Sequence, residues 1–387
     1  MSFNFYIPTR VLFGANILET LHEQDLPFKK ALIVMTNGKS LIKYGYLDRL
    51  KAELKKANIE SIDFPKVLPN PLKETVMEAA DLCKKEGVDL IIGFGGGSAI
   101  DSAKAIALMC TNPGDLWDYF DGGTGLNKPF VNRPLPILAI TTTAGTGTEA
   151  DPWFVCTKGI EKIGAGNDWT FPFLAIVDPT LMVSVPSKLT AYQGFDTLFH
   201  SMEGYINIRR NPMGDMFAER SIELIANNLE EAVKHGDNLD ARANVALANT
   251  LGGIVECVSG CTGEHSIEHG LSGFHPNIIH GFGLIAISLA YFEKVLESHS
   301  VDDRLLKMAR LLGYKEATKP SDFLIALKNL QVKCGVDKLS LKDEGLLESE
   351  FEAVAKHTFD TMAGLYSKDP VKWDVDMVVD VLKKSYR

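Results

Sequence analysis

The sequence predicts an α/β domain built on a parallel sheet over residues 1–186, followed by an all-helical domain over residues 187–387. Three observations carry this. At 387 residues the chain exceeds the usual length of a single hydrophobic core. As far as about residue 180, short β-branched runs alternate with amphipathic stretches, the grammar of strands joined by crossover helices. From about Thr190 onward the strands fade and long helical patterns take over.

Taken in order, "KKALIVMTN" reads as a buried strand and "SLIKYGYLDRLKAELKKAN" as a helix, and "IESIDF" with "KETVMEAADLCKKEG" repeats the pair. "VDLIIGFGGG" and "SAIDSAKAIALM" form a third strand, a glycine turn and a helix, while "LPILAITTT" and "FLAIVDP" are later strands of the same layer. The boundary falls near "VSVPSKLT", where Pro186 leads into a helix start. "GDMFAERSIELIANNLEEAVKHG" and "ARANVALANTLGGIVECV" are helices of the second domain, and residues beyond about 300 read as further helices completing it.

Acidic and basic residues are interspersed around a net charge of -10, which argues against a nucleic-acid partner and gives no reason to expect a membrane surface. No run of eighteen apolar residues and no cationic leader is found, so a cytoplasmic protein is expected. Six scattered cysteines form neither a disulfide framework nor a CxxC pair, which fits a reducing compartment. Cys257 and Cys261 are expected to share a helix face as small buried apolar residues.

"GFGGGSAIDSAK" sets Gly93, Gly95, Gly96, Gly97 and Ser98 between a buried strand and a helix. Such a turn lets backbone N–H groups and the positive end of the helix dipole approach a pyrophosphate. "TTTAGTGTEAD" is a second loop, dense in hydroxyls and glycines, able to offer donors to the same ligand. After the first strand, "MTNGKS" places Gly38, Lys39 and Ser40 where a nucleotide enzyme selective for the unphosphorylated cofactor usually has an acid. Room, donors and positive charge there favour NADP(H) over NAD(H).

"EHSIEHGLSGFHPNIIHG" gathers His265, His269, His275 and His280 from a chain with nine histidines. His265 and His269 are four residues apart and share a helix face, and His280 begins the next helical run. "YQGFDTLFHSMEGYI" supplies Asp196 and His200, again four apart. Asp196, His200, His280 and one of His265 or His269 would surround one divalent ion, and a set of oxygen and imidazole donors suits iron, zinc, cobalt, nickel or manganese. With a dinucleotide on one domain and a metal on the other, the reaction is expected in the cleft between them.

Together "FGGGSAIDSAK", "TTTAGTGTEAD", "GFDTLFHSMEGYI" and "EHSIEHGLSGFHPNIIHG" resemble the successive signatures of the iron-containing (group III) alcohol dehydrogenases, a family related in fold to dehydroquinate synthase. The resemblance runs from "RVLFG" near the N-terminus to at least residue 285. It implies a Rossmann-like first domain and a metal-dependent alcohol dehydrogenase or aldehyde reductase. It assigns the metal to Asp196, His200, His265 and His280, with iron(II) ahead of zinc, and sets His269 beside the substrate. Gly96, Gly97 and Ser98 match the pyrophosphate turn, Asp101 the carboxylate of that motif, taken here with His269 as catalytic, and Thr142, Thr143 and Thr146 the second nucleotide loop. Lys162 matches a lysine near the cofactor ribose.

Gly38 and the longer loop bearing His275 are similar to the butanol-dehydrogenase-like branch, and the family implies a homodimer or larger homo-oligomer acting on small alcohols or aldehydes. The chain departs from the pattern at Thr148 and at "DPWFV", which borders the substrate region. The alternatives are a dehydroquinate-synthase-like lyase, a maleylacetate-reductase-like oxidoreductase and a non-catalytic protein binding metal or nucleotide.

Overall fold

The computed structural model describes residues 2–386. The chain separates into two compact units, one of Ile7–Lys158 with Ile163–Val185, the other of residues 2–6, Gly159–Lys162 and residues 186–386. Two stretches expected in the first domain, residues 2–6 and 159–162, therefore cluster with the helical unit.

In the first unit, β1 (Arg10–Phe13), β2 (Lys30–Thr36), α1 (Ser40–Lys43), α2 (Tyr46–Lys56), β3 (Glu60–Val67), α3 (Lys73–Glu86), β4 (Leu90–Gly95), α4 (Gly97–Thr111) and β5 (Ile137–Thr141) come first. A hairpin of β6 (Phe154–Lys158) and β7 (Glu161–Ala165) follows, then β8 (Leu174–Val177). Six strands make one sheet in the order β1-β8-β5-β4-β2-β3, every pairing parallel, and β6 with β7 makes a separate two-stranded sheet. The central strands β4, β5 and β8 are buried at every position, as a parallel sheet covered on both faces requires, whereas β3 at the edge is largely accessible. One face is sealed by Leu50 and Leu54 of α2 together with Leu18 and Leu21, packed on Ile33, Ile92, Leu138 and Ile176 of the strands.

The single helix expected over "SLIKYGYLDRLKAELKKAN" is two. Gly45 sits between α1 and α2 at φ 72°, a left-handed turn that an α-helix cannot pass through. β1 was not anticipated, so the glycine turn follows the fourth strand and not the third, and the β6–β7 hairpin was not anticipated either. β1 is four residues long and the hairpin strands five each, too short for a periodic signal.

The second unit is built from α5 (Ser187–Ile206), α6 (Pro212–Lys234), α7 (Leu239–Val258), α8 (Gly263–Phe274), α9 (His280–Glu297), α10 (Asp302–Leu311), α11 (Asp322–Lys333), α12 (Phe351–Tyr366) and α13 (Val375–Ser385). Asn211 caps α6 by accepting from the amides of Met213 and Gly214 at 3.1 and 3.2 Å, with Pro212 at the first helical position. α5 is buried almost all round, which makes it the central helix. α7 ends at Val258, so Cys261 lies in the following loop, where Gly260 turns at φ 87°. The expected shared helix face of Cys257 and Cys261 does not exist. None of the six cysteines is joined in a disulfide, and no single helix among the described residues is long and apolar enough to cross a membrane.

Candidate metal centre and nucleotide loops

Three helices deliver the metal-ligating candidates. α5 carries Asp196 and His200 one turn apart, α8 carries His265 and His269 one turn apart, and His280 opens α9. A Cβ added to Gly281 would overlap the Tyr192 carbonyl of α5, so the start of α9 lies directly against α5, and His280 arrives beside Asp196.

Asp196 Oδ1 stands 3.5 Å from His265 Nε2, 3.4 Å from His280 Nε2 and 3.7 Å from His200 Nδ1. These separations are too long for good hydrogen bonds. They match donors arranged on a tetrahedron with bonds of about 2.1 Å, whose corners lie about 3.4 Å apart. Asp196 Oδ1, His200 Nδ1 and His265 Nε2 are all buried and have no hydrogen-bond partner, a costly state for polar atoms unless a cation satisfies them. The donor set therefore fits a divalent ion. A plain Asp196–His200 hydrogen bond is ruled out by the 3.7 Å distance.

Behind the donors stand two buried carboxylates, Glu203 and Glu268. His265 Nδ1 is hydrogen-bonded to Glu203, whose other oxygen accepts from the Thr262 amide at 2.5 Å and its hydroxyl at 2.9 Å. His280 Nδ1 is hydrogen-bonded to Glu268. Each contact leaves Nε2 of the same ring free to face Asp196, the carboxylate–imidazole arrangement that orients metal-binding histidines. Lys162 belongs to this same cluster. Its ammonium donates to Ser272 at 2.8 Å and pairs with Glu268 at 3.2 Å.

Burial alone would push the Asp196 carboxyl up, but the surrounding imidazoles, His280 and His200 foremost, hold it well below the usual range. Burial drives His200 down to about 4, Asp196 offsetting only part. His269 is pushed well down by burial and then by Lys162 and His280, so it is a neutral imidazole, and its buried Nδ1 has no partner. The Glu264 carboxyl is pushed well above the usual carboxylate range by burial and then by the Glu203 charge.

In the α/β unit the glycine turn and the threonine loop touch. The Thr142 amide donates to the Gly95 carbonyl at 2.8 Å, and a Cβ on Gly96 would come within 2.8 Å of Thr143 Oγ1 and one on Gly97 within 2.9 Å of Thr146 Oγ1. Gly95 adopts φ 152°, which L-residues rarely adopt. Ser98 follows at the first turn of α4. Gly38, Lys39 and Ser40 are exposed beyond β2. Nothing in the backbone demands glycine at 38, because a Cβ there would make one ordinary 3.7 Å contact, with Thr36.

Asp101 accepts from the Thr148 hydroxyl at 2.8 Å and from the Val155 amide at 3.0 Å, one bond to each carboxylate oxygen. Beside it, fully buried Lys104 donates to Thr148 Oγ1, the Asp151 carbonyl and the Trp153 carbonyl at 2.7–2.8 Å and pairs with the Asp151 carboxylate at 3.0 Å. The unusual Asp151 is thus an internal partner of Lys104. Sequence reasoning missed Lys104, Glu203 and Glu268. Glu203 follows Asp196 at i+7 and His200 at i+3 on the same face of α5, a spacing that was available.

The family profile "Iron-containing alcohol dehydrogenase" matches residues 8–179, and "Fe-containing alcohol dehydrogenase family, C-terminal" matches residues 190–386. Alcohol dehydrogenase 4 of Schizosaccharomyces pombe is 34% identical over 98% of this chain and 88% of its own length. The NADH-dependent butanol dehydrogenase A of Clostridium acetobutylicum is 28% identical over the whole of both chains. Among solved structures, an archaeal halo-thermophilic alcohol dehydrogenase from a Red Sea brine pool superposes with a TM-score of 0.94 at 30% identity, covering 100% of this chain and 99% of the other. Because profile and relatives extend over the glycine turn, the threonine loop and the histidine cluster, the chain belongs to the iron-containing alcohol dehydrogenase family and is an NAD(P)-dependent alcohol dehydrogenase.

Proposed function

We propose that this enzyme interconverts small primary alcohols and aldehydes in the manner of the butanol-dehydrogenase-like branch, with NADP(H) preferred over NAD(H). Asp196, His200, His265 and His280 would hold one divalent ion, iron(II) first and zinc second. When bound, such an ion supplies Lewis-acid polarisation of the alcohol or carbonyl oxygen. The observation that carries this reading is the set of buried donors without hydrogen bonds around Asp196 Oδ1.

The remaining roles fall to the chain. Glu203 and Glu268 fix the His265 and His280 rings with Nε2 toward Asp196. His269, neutral and with Nδ1 unbonded, accepts the proton released as alcohol is oxidised and passes it on. Gly95, Gly96, Gly97 and Ser98 at the start of α4 present amides to the cofactor pyrophosphate, with Thr142, Thr143 and Thr146 alongside. Gly38, Lys39 and Ser40 admit a 2′-phosphate. Asp101 and Lys104 hold the Thr148–Val155 segment that continues the threonine loop. Lys162, matched to a ribose contact, reaches the site through its hold on Glu268. A cytoplasmic homodimer or larger homo-oligomer completes the reading, and six cysteines without a disulfide agree with a reducing compartment.

The test is oxidation of NADPH and NADH with a panel of short aldehydes, using protein stripped of metal and resupplied with iron(II) anaerobically, zinc or manganese. Activity restored by iron(II), faster with NADPH, is expected. Equal turnover of stripped and reloaded protein would remove the metal from the mechanism, and faster NADH oxidation would reverse the cofactor preference.

A further inference from the structure

Cys261, in the loop between α7 and α8, plays no part in the reading above. It is nevertheless placed with care. Asn207 Nδ2 donates to the carbonyls of Gly260 and Cys261 at 3.0 and 3.2 Å, and the next residue, Thr262, is tied through its amide and hydroxyl to Glu203. The loop is pinned on both sides of the thiol. One donor atom each from His200, Cys261 and His265 lies within 4.8 Å of the other two, and all three residues are buried. Asp196, His265 and His280 form a second such group. The two groups share His265, whose Nδ1 is committed to Glu203 and whose Nε2 is buried without a partner.

The groups differ in donor softness. Carboxylate with imidazole suits iron(II) and manganese, whereas thiolate with imidazole suits zinc and cadmium. We propose that His200, Cys261 and His265 form an alternate site for thiophilic divalent ions, overlapping the Asp196 site and drawing zinc or cadmium toward sulfur and away from His280. On binding, the Cys261 S–H bond breaks, a metal–sulfur bond forms, the proton passes to buffer and the ion keeps its charge. The chain would then distinguish iron from zinc by position within one centre. This inference rests on the metal-binding reading of the preceding section.

The experiment uses full-length protein stripped with a chelator and titrated with cadmium(II), and separately with cobalt(II), while ultraviolet and visible absorption are recorded. Expected is a thiolate-to-metal charge-transfer band that saturates with one ion, is lost in Cys261→Ser and in His200→Ala, and persists in His280→Ala. In competition with a chromophoric chelator, Cys261→Ser should weaken zinc binding by about tenfold or more and leave manganese binding nearly unchanged. Should Cys261→Ser not fold, Cys261→Ala replaces it, and the contrast between His200→Ala and His280→Ala gives the same answer. Cadmium bound without the band, or with a band unchanged in the Cys261 variants, overturns the alternate site while leaving the Asp196 centre standing. Failure of the wild type to bind cobalt or cadmium at all overturns both.

Discussion

At Gly38 the absence of a side chain is a matter of chemistry more than of backbone. Its conformation is ordinary and a Cβ meets only Thr36 at 3.7 Å, so Gly38→Asp should fold like the wild type. An aspartate there would repel a 2′-phosphate, and the ratio of kcat/KM for NADPH over NADH should fall by about tenfold or more. An unchanged ratio would show that the 2′ position is read elsewhere. Lys104 is the opposite case, a side chain whose loss the fold should feel. Lys104→Met takes the ammonium from the Asp151 carboxylate and from two carbonyls in a fully buried site, and should cost about 3–5 kcal/mol in urea denaturation. A loss near zero would mean that the network is not closed by this charge. These two residues also mark what the sequence made legible. A glycine where an acid is customary stands out in the sequence alone and raises the cofactor question that this variant tests, whereas Lys104 looked like any helix lysine until the fold brought Asp151 and Trp153 onto it from 47 and 49 residues away.

Among the elements, α8 shows how a helix end is made to serve a site. Its first amide, that of Gly263, donates to Asp369 Oδ2 at 2.9 Å, and the preceding Thr262 amide donates to Glu203, so two carboxylates face the positive end of the helix that carries His265 and His269. Asp369 also accepts from the Tyr291 hydroxyl at 2.6 Å. Burial outweighs these bonds and raises its pKa to about 6. An acid whose folded pKa lies above its unfolded value favours the folded state most when protonated. Its contribution is thus fully present below about pH 4 and is lost as pH rises through 6, a span of about 3 kcal/mol. Asp369→Asn removes this titration. The difference in stability between wild type and variant, followed by urea midpoints, should change across pH 4 to 6 and level off above. A flat difference would show that the Asp369 charge is not penalised in the fold. None of this was visible in the sequence, because Asp369 reaches α8 across 106 residues. The legible elements were those with a long period, such as α3, α6 and α7, or an unbroken apolar run, such as β2 and β4, whereas β1 and the hairpin strands have neither.

For the whole molecule, the proposed division of labour between the two units gives a test that no single residue supplies. The two-domain plan was legible from the change of periodicity near Thr190, but not the transfer of Gly159–Lys162 to the helical unit, which follows Lys162 to a partner 106 residues distant. An ion held as proposed by Asp196, His200, His265 and His280 would join three helices whose ligands span 85 positions of chain, counting both ends, from α5 to α9. Such a site is absent from the unfolded chain, so the ion stabilises the fold by mass action, about 2.7 kcal/mol at a hundredfold excess over its dissociation constant. For a chain of this size that is a rise of a few degrees in Tm, about 2–4 °C. In the proposed function nucleotide is bound by the α/β unit and would act through other residues. Chelation should therefore lower Tm in the wild type and restoring metal should raise it, while Asp196→Ala should lose the metal response and keep the rise caused by NADPH. Gly38→Asp should show the reverse pattern, a full metal response with a reduced NADPH response. If Asp196→Ala abolished both responses, the variant would have lost more than a ligand, and if it kept both, Asp196 would not be the anionic ligand of the centre.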